Sequence, residues 1–131
     1  MYFNIDPKKN IPLYEQIIQQ VKEMCAKGIL TPNEKLPSVR ELSAQIVINP
    51  NTVSKAYKEL ERQGVIMTIR GRGTFIAEDY QYTHDPRKVD SLKQALKKVV
   101  IDSHYVGIER EEIEKWMSQF YEQIGGEKRE S

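Results

Sequence analysis

Cysteine occurs once, at position 25, in a chain of 131 residues. An internal disulfide is therefore excluded, and Cys25 has no companion thiol for a structural zinc site. Cys25 repeats the helical spacing of Tyr14, Ile18 and Val21, which assigns it to packing rather than to reactivity. Histidine occurs only at His84 and His104, and neither has a metal-ligand partner at motif spacing. No nucleophile motif and no phosphate-cradling loop is present, and the short Gly71-Arg72-Gly73 is no dinucleotide fingerprint. Enzymatic activity, a metal and a cofactor are accordingly not expected. No apolar run approaches the roughly 18 residues of a membrane-spanning helix. The opening residues lack the basic start and apolar core of a secretory signal, so a cytoplasmic location and no membrane partner are the expectation.

What is present is a soluble composition, 39% hydrophobic and 30% charged, on a chain long enough for one domain plus an appendage. The net charge of +1 is uninformative, but its distribution is not. Residues 1–78 carry 11 Lys/Arg against 8 Asp/Glu, whereas residues 79–131 carry 9 against 11. The basic excess therefore lies in the first part, as a polyanion partner would require.

Residues 11–27 place Ile11, Tyr14, Ile17, Ile18, Val21, Met24 and Cys25 at spacings of three or four, an amphipathic helix that Gly28 stops. "SVRE" at residues 38–41 reads as a capping box opening a short helix over 38–45, with Val39, Leu42 and Ile46 inward. "INPN" interrupts it, and Asn49 or Asn51 can cap a further helix over 52–63 that buries Val53, Ala56, Tyr57 and Leu60. Two helices joined by so tight a turn form a helix-turn-helix. The outer face of the second keeps Asn51, Thr52, Ser54, Lys55 and Lys58 free. Beyond Gly64, "VIMTIR" and "TFIA" flank "GRG" as a two-stranded hairpin, with Val65, Ile66, Ile69, Phe75 and Ile76 as candidates to pack on the helices.

That order of elements suits double-stranded DNA. A helix fits the major groove, and short polar side chains on it reach base edges while cations engage phosphates. Arg40, near the start of the preceding helix, is placed for a phosphate. Arg72 at the hairpin tip suits a minor groove, whose negative potential attracts arginine.

"PLYEQI" at residues 12–17, "LPSVREL" at 36–42, "NPNTVSKAYKELERQG" at 49–64 and "GRGTF" at 71–75 resemble the winged helix-turn-helix of the GntR family of bacterial transcription regulators. A short helical tail in place of a large effector domain resembles the YtrA subfamily. The resemblance implies a homodimeric repressor gripping a palindromic operator, with its own operon and transporter or stress genes as the target class. It implies that Arg40 contacts phosphate or a base, that Asn49, Asn51, Thr52, Ser54 and Lys55 line the major groove, and that Gly71, Arg72 and Gly73 form the wing tip. Val47 stands where many relatives have glycine, so that turn is expected to differ or to hold Val47 under strain.

Residues 79–90 read as a polar loop. From residue 91, Leu92, Leu96, Val99 and Val100 form one stripe, and over 109–124 Ile113, Trp116, Met117, Phe120, Tyr121 and Ile124 form another. Two such helices carry more apolar surface than they can hide from each other. Pairing with a second copy covers it economically, with Leu92, Leu96, Val99, Val100, Ile113, Trp116, Met117 and Phe120 at the dimer interface; packing within the chain is the alternative. The expected architecture is thus mainly α with a small β-hairpin: a winged helix-turn-helix over 1–78, then a linker and a two-helix dimerisation tail over 79–131. A small-molecule effector at the dimer interface stays open, as does a different class of function, a winged helix that binds protein instead of DNA.

Overall fold

The computed structural model describes residues 3–78 and 85–125. The chain divides into two compact units, residues 1–80 and 81–131. In the first, an extended arm leads into α1 (Leu13–Ala26), and β1 (Lys35–Leu36), α2 (Val39–Ile46), α3 (Pro50–Arg62), β2 (Ile66–Ile69) and β3 (Gly73–Ile76) follow. Helix α1 begins after Pro12, so Ile11 lies outside it and is exposed instead of joining the core. Its apolar stripe of Ile17, Ile18, Val21 and Met24 is buried against Leu42 of α2 and Val53, Ala56, Tyr57 and Leu60 of α3.

The arm is tied to α1 by two glutamines one helical turn apart. Gln16 is buried; its Oε1 accepts from the Asp6 amide at 2.9 Å and its Nε2 donates to the Asp6 and Ile11 carbonyls, each at 2.9 Å. Gln20 treats Asn4 the same way, accepting from its amide at 2.9 Å and donating to its carbonyl at 2.7 Å. Each side-chain amide thereby satisfies main-chain groups that would otherwise lose water on docking.

Helix ends follow the local chemistry. The capping box at α2 is complete: the Glu41 amide donates to Ser38 Oγ at 3.0 Å and the Ser38 amide donates to Glu41 Oε1 at 2.9 Å. These bonds stabilise the ionised carboxylate and hold Glu41 below the usual carboxylate pKa. Helix α3 starts at Pro50, two residues earlier than the sequence pattern indicates, because Asn49 supplies the cap; its Oδ1 accepts from the Asn51 amide at 2.8 Å. Between the two helices Val47 is left-handed, with φ 54° and ψ 53°, and is 87% exposed.

The sheet has three strands, in the order β1-β3-β2, all antiparallel, rather than the two of a simple hairpin. Lys35 pairs with Phe75 and Leu36 with Thr74, so β3 is central and the hairpin is anchored to the segment entering α2. Val65, Ile66 and Ile76 are buried, while Ile69 is exposed and Phe75 only half-buried. Ile69 pairs with Gly73 at the tip end of the β2–β3 ladder.

In the second unit, α4 (Pro86–Val106) and α5 (Arg110–Gln123) are joined through Gly107, left-handed at φ 84°. Helix α4 starts within the stretch read as a polar loop, because Asp85 caps it and Pro86 occupies its first turn. Among the described residues the backbones of the two helices do not approach each other closely. Ser103 is the one buried residue of α4, and α5 has none. The linker expected around residues 79–84 lies outside the described residues, as does the tail from 126 on.

Candidate nucleic-acid interface

Helix α3 is held by one face and open on the other. Val53, Ala56, Tyr57 and Leu60 pin it to the core, and the Tyr57 hydroxyl donates to the Pro37 carbonyl at 2.7 Å, tying α3 to the residue just before α2. Burial pushes the Tyr57 phenol well above its ordinary pKa, so it stays a neutral donor. On the opposite side Asn51, Lys55 and Lys58 are exposed, and Thr52 and Ser54 are half-buried. The outer face named from the sequence is therefore present on the first unit. Asn49 is exposed, and although its oxygen accepts the capping bond its amide nitrogen keeps both donors for a partner.

Acidic residues on α3 do not cancel this surface. The Glu59 carboxylate accepts from Arg62 Nε at 2.9 Å and Gln63 Nε2 at 2.7 Å, and these donors hold its pKa down to about 2. Glu61 Oε2 accepts from the Thr68 amide at 3.2 Å, so it fastens β2 to α3. Among the described residues, the ion pairs involve neither Arg40 nor Lys55, Lys58, Arg70 or Arg72. Five cations of the first unit thus keep their charge available.

Lys55 has a specific neighbour. Its Nζ lies 3.9 Å from the centroid of the Tyr14 ring in the first turn of α1. Tyr14 in turn donates its hydroxyl to Glu15 Oε1 at 3.3 Å. An open groove of about 910 Å³ runs between α1 and α3 here, with Lys22, Lys55 and Lys58 among its lining residues.

The hairpin tip is exposed at Arg70, Gly71 and Arg72, and closes through the Arg72 amide donating to the Ile69 carbonyl at 2.9 Å. Gly71 adopts φ 82° and Gly73 φ 122°, values that side-chain-bearing residues rarely take. A Cβ on Gly73 would come within 3.0 Å of Lys35 Cε, so the lysine stem crosses the strand at that point. Arg40 is exposed in the first turn of α2. Lys35, Arg70 and Tyr14 join this set although sequence reasoning did not single them out. A two-residue strand has no periodicity to detect, and a half-buried tyrosine on an apolar stripe looks like any core residue.

The residues assigned to a dimer interface remain uncovered on the second unit. Leu92 is 71% exposed and Phe120 60%; Leu96, Val99, Val100 and Met117 are also exposed, and Ile113 and Trp116 half-buried. Leu96, Val100, Ile113 and Met117 line an open groove of about 820 Å³ between α4 and α5. No cluster of metal-ligating side chains occurs among the described residues, and no described helix is long and apolar enough to cross a membrane.

Comparison with known proteins agrees with this geometry. Residues 13–76 match the model of bacterial regulatory proteins of the gntR family. The chain is 53% identical over 125 residues to the HTH-type transcriptional repressor YtrA of Bacillus subtilis, covering 95% of this chain and 96% of that one. Its structure is similar to a transcriptional antiterminator from Listeria monocytogenes, with a TM-score of 0.89, 44% identity and coverage of 95% and 92%. It is also similar to YtrA from Sulfolobus acidocaldarius, a GntR-family transcription factor, with a TM-score of 0.60, 33% identity and coverage of 74% and 99%.

Proposed function

Because the chain belongs to the GntR family of bacterial regulatory proteins and is YtrA-like, we propose that it represses transcription as a homodimer on a palindromic operator. It is a DNA-binding transcription regulator, not an enzyme. In this reading Asn51, Thr52, Ser54, Lys55 and Lys58 enter the major groove, with Asn49 at the head of the helix, and Arg40 meets a phosphate beside it. The Gly71-Arg72-Gly73 tip reaches the neighbouring minor groove, where the two glycines keep the backbone slim enough to enter. Residues 1–78 act as the DNA-binding domain and residues 79–131 as the pairing tail, in the cytoplasm where the operator is. The observation that carries the assignment is the outer face of α3, unburied in its own unit and bearing lysines that make no ion pair among the described residues.

Pairing is supported by α4 and α5, whose apolar stripes are largely exposed among the described residues. A second copy supplies the missing cover and sets two α3 helices roughly one DNA turn apart, about 34 Å. The test is binding to the duplex upstream of the chain's own gene against a shuffled duplex, across a salt series. Specific binding should weaken with a log–log slope of roughly 0.9 per phosphate neutralised. Equal affinity for both duplexes at moderate salt would sink the proposal.

A further inference from the structure

We propose that Tyr14 of α1 is a positioning residue for DNA binding, presenting the Lys55 ammonium on its ring face; this rests on the assignment of Lys55 to the DNA surface. A lysine on an exposed helix face samples many rotamers, and fixing it on a phosphate or base edge costs conformational entropy. Lys55 does not start from that disordered condition, because its Nζ lies 3.9 Å from the Tyr14 centroid, well inside cation–π range. The ring itself is steadied, since Tyr14 packs against the core cluster that holds α1 to α3.

The chemistry of the shelf matters. A carboxylate would also order the ammonium, but it would neutralise the charge and would have to be displaced by the incoming phosphate. An aromatic face orders the cation and leaves its charge and outward N–H donors available. Of the two nearby acids, Glu15 and Glu59, the second is kept from taking that place by its bonds to Arg62 and Gln63. Those same carboxylates push the Tyr14 phenol upward, so the ring stays uncharged. The readout surface therefore extends from α3 onto α1, whose first turn tunes a residue it does not itself contain.

A double-mutant cycle on the full chain, with a short duplex that the wild-type protein selects from a random pool, tests this. Tyr14→Phe should bind like wild type, because the ring is kept. Tyr14→Leu should weaken binding about two- to fivefold, and should have no further effect in a Lys55→Ala background. Replacement of Tyr14 by phenylalanines carrying successive ring fluorines preserves shape, so folding is retained, and affinity should fall stepwise as the ring face loses negative potential. An upfield ring-current shift of the Lys55 ε-methylene protons should be seen in wild type and Tyr14→Phe and vanish in Tyr14→Leu. Unchanged affinity along the fluorine series, or an equal loss from Tyr14→Leu with and without Lys55, overturns the inference alone. An unchanged affinity of Lys55→Ala overturns the assignment of Lys55 to the DNA surface, and the inference with it.

Discussion

At the scale of single residues, the turn between α2 and α3 carries the clearest cost. A β-branched side chain in the left-handed region crowds the backbone, at roughly 1–2 kcal/mol, and Val47 sits there at φ 54°. Its side chain is almost fully exposed and so recovers little by packing. Val47→Gly should therefore raise stability, by about 0.5–1 kcal/mol once the extra entropy of glycine in the unfolded chain is subtracted. The urea midpoint measures it, and a lower midpoint would contradict the strain. Glu59 offers a pH test. Its folded pKa of about 2 lies below the ordinary carboxylate value, so its contribution is present above about pH 4.5 and is lost as pH falls toward 2. Glu59→Gln should flatten the acid limb of the stability profile in that window by lowering the neutral plateau, and only modestly, because the pair with Arg62 is open to solvent on the arginine side.

Elements owe their placement to a few long connections between residues distant in sequence. The wing is a three-stranded sheet only because Lys35 and Leu36 pair with β3, and the lysine stem then occupies the space beside Gly73. Gly73→Ala adds a methyl group in that space at φ 122°, with a backbone cost of about 1–3 kcal/mol. The expected result is faster hydrogen exchange at the Arg72 amide and weaker DNA binding, with the helical core still protected. Exchange as slow as in wild type would show that the tip tolerates the side chain. The arm is held in a similar way by Gln16, whose buried amide makes three bonds to main chain. Gln16→Ala leaves the Asp6 amide and carbonyl without those partners, so protection at Asp6 should fall at least about tenfold. Unchanged exchange there would mean that Phe3 and Ile5, which pack on the core cluster, hold the arm without it.

For the whole molecule, the decisive feature is that the apolar stripes of α4 and α5 stay largely exposed, with Ser103 the one buried residue of the two helices. An isolated helix shorter than about 12–15 residues is marginal in water, and α5 has 14. The tail is therefore expected to gain much of its helicity on pairing. Far-ultraviolet dichroism of the full chain should lose helix on dilution through the dimer dissociation range, which sedimentation would define. Met117→Glu or Leu96→Glu should shift the chain to monomer and weaken operator binding by about a hundredfold or more, as the two half-sites lose their shared attachment. A charged variant that stays dimeric would place the interface elsewhere.

The first unit was legible in the sequence where local rules apply: the spacing of Val53, Ala56, Tyr57 and Leu60, the Ser38–Glu41 box, and glycines at helix ends each act within a few residues. The same rules gave the outer face of α3 by subtraction, since whatever the stripe does not bury is left outside. Local patterns also misplaced residues at the margins. Ile11 fits a helical repeat that Pro12 cuts off, and Pro86 begins a helix in a stretch whose polarity suggested a loop.

What only the tertiary structure decided depends on partners far apart in the chain. The β1 pairing, the Gln16 and Gln20 clasp on the arm, and the seat of Lys55 on Tyr14 join residues whose pairing no short-range pattern requires. Sequence by itself settled which faces are apolar and which are charged, because that follows from residue type and helical period. Which charge is spent inside the fold and which is left for a ligand is a matter of geometry, because a carboxylate a few ångströms away either neutralises a cation or does not.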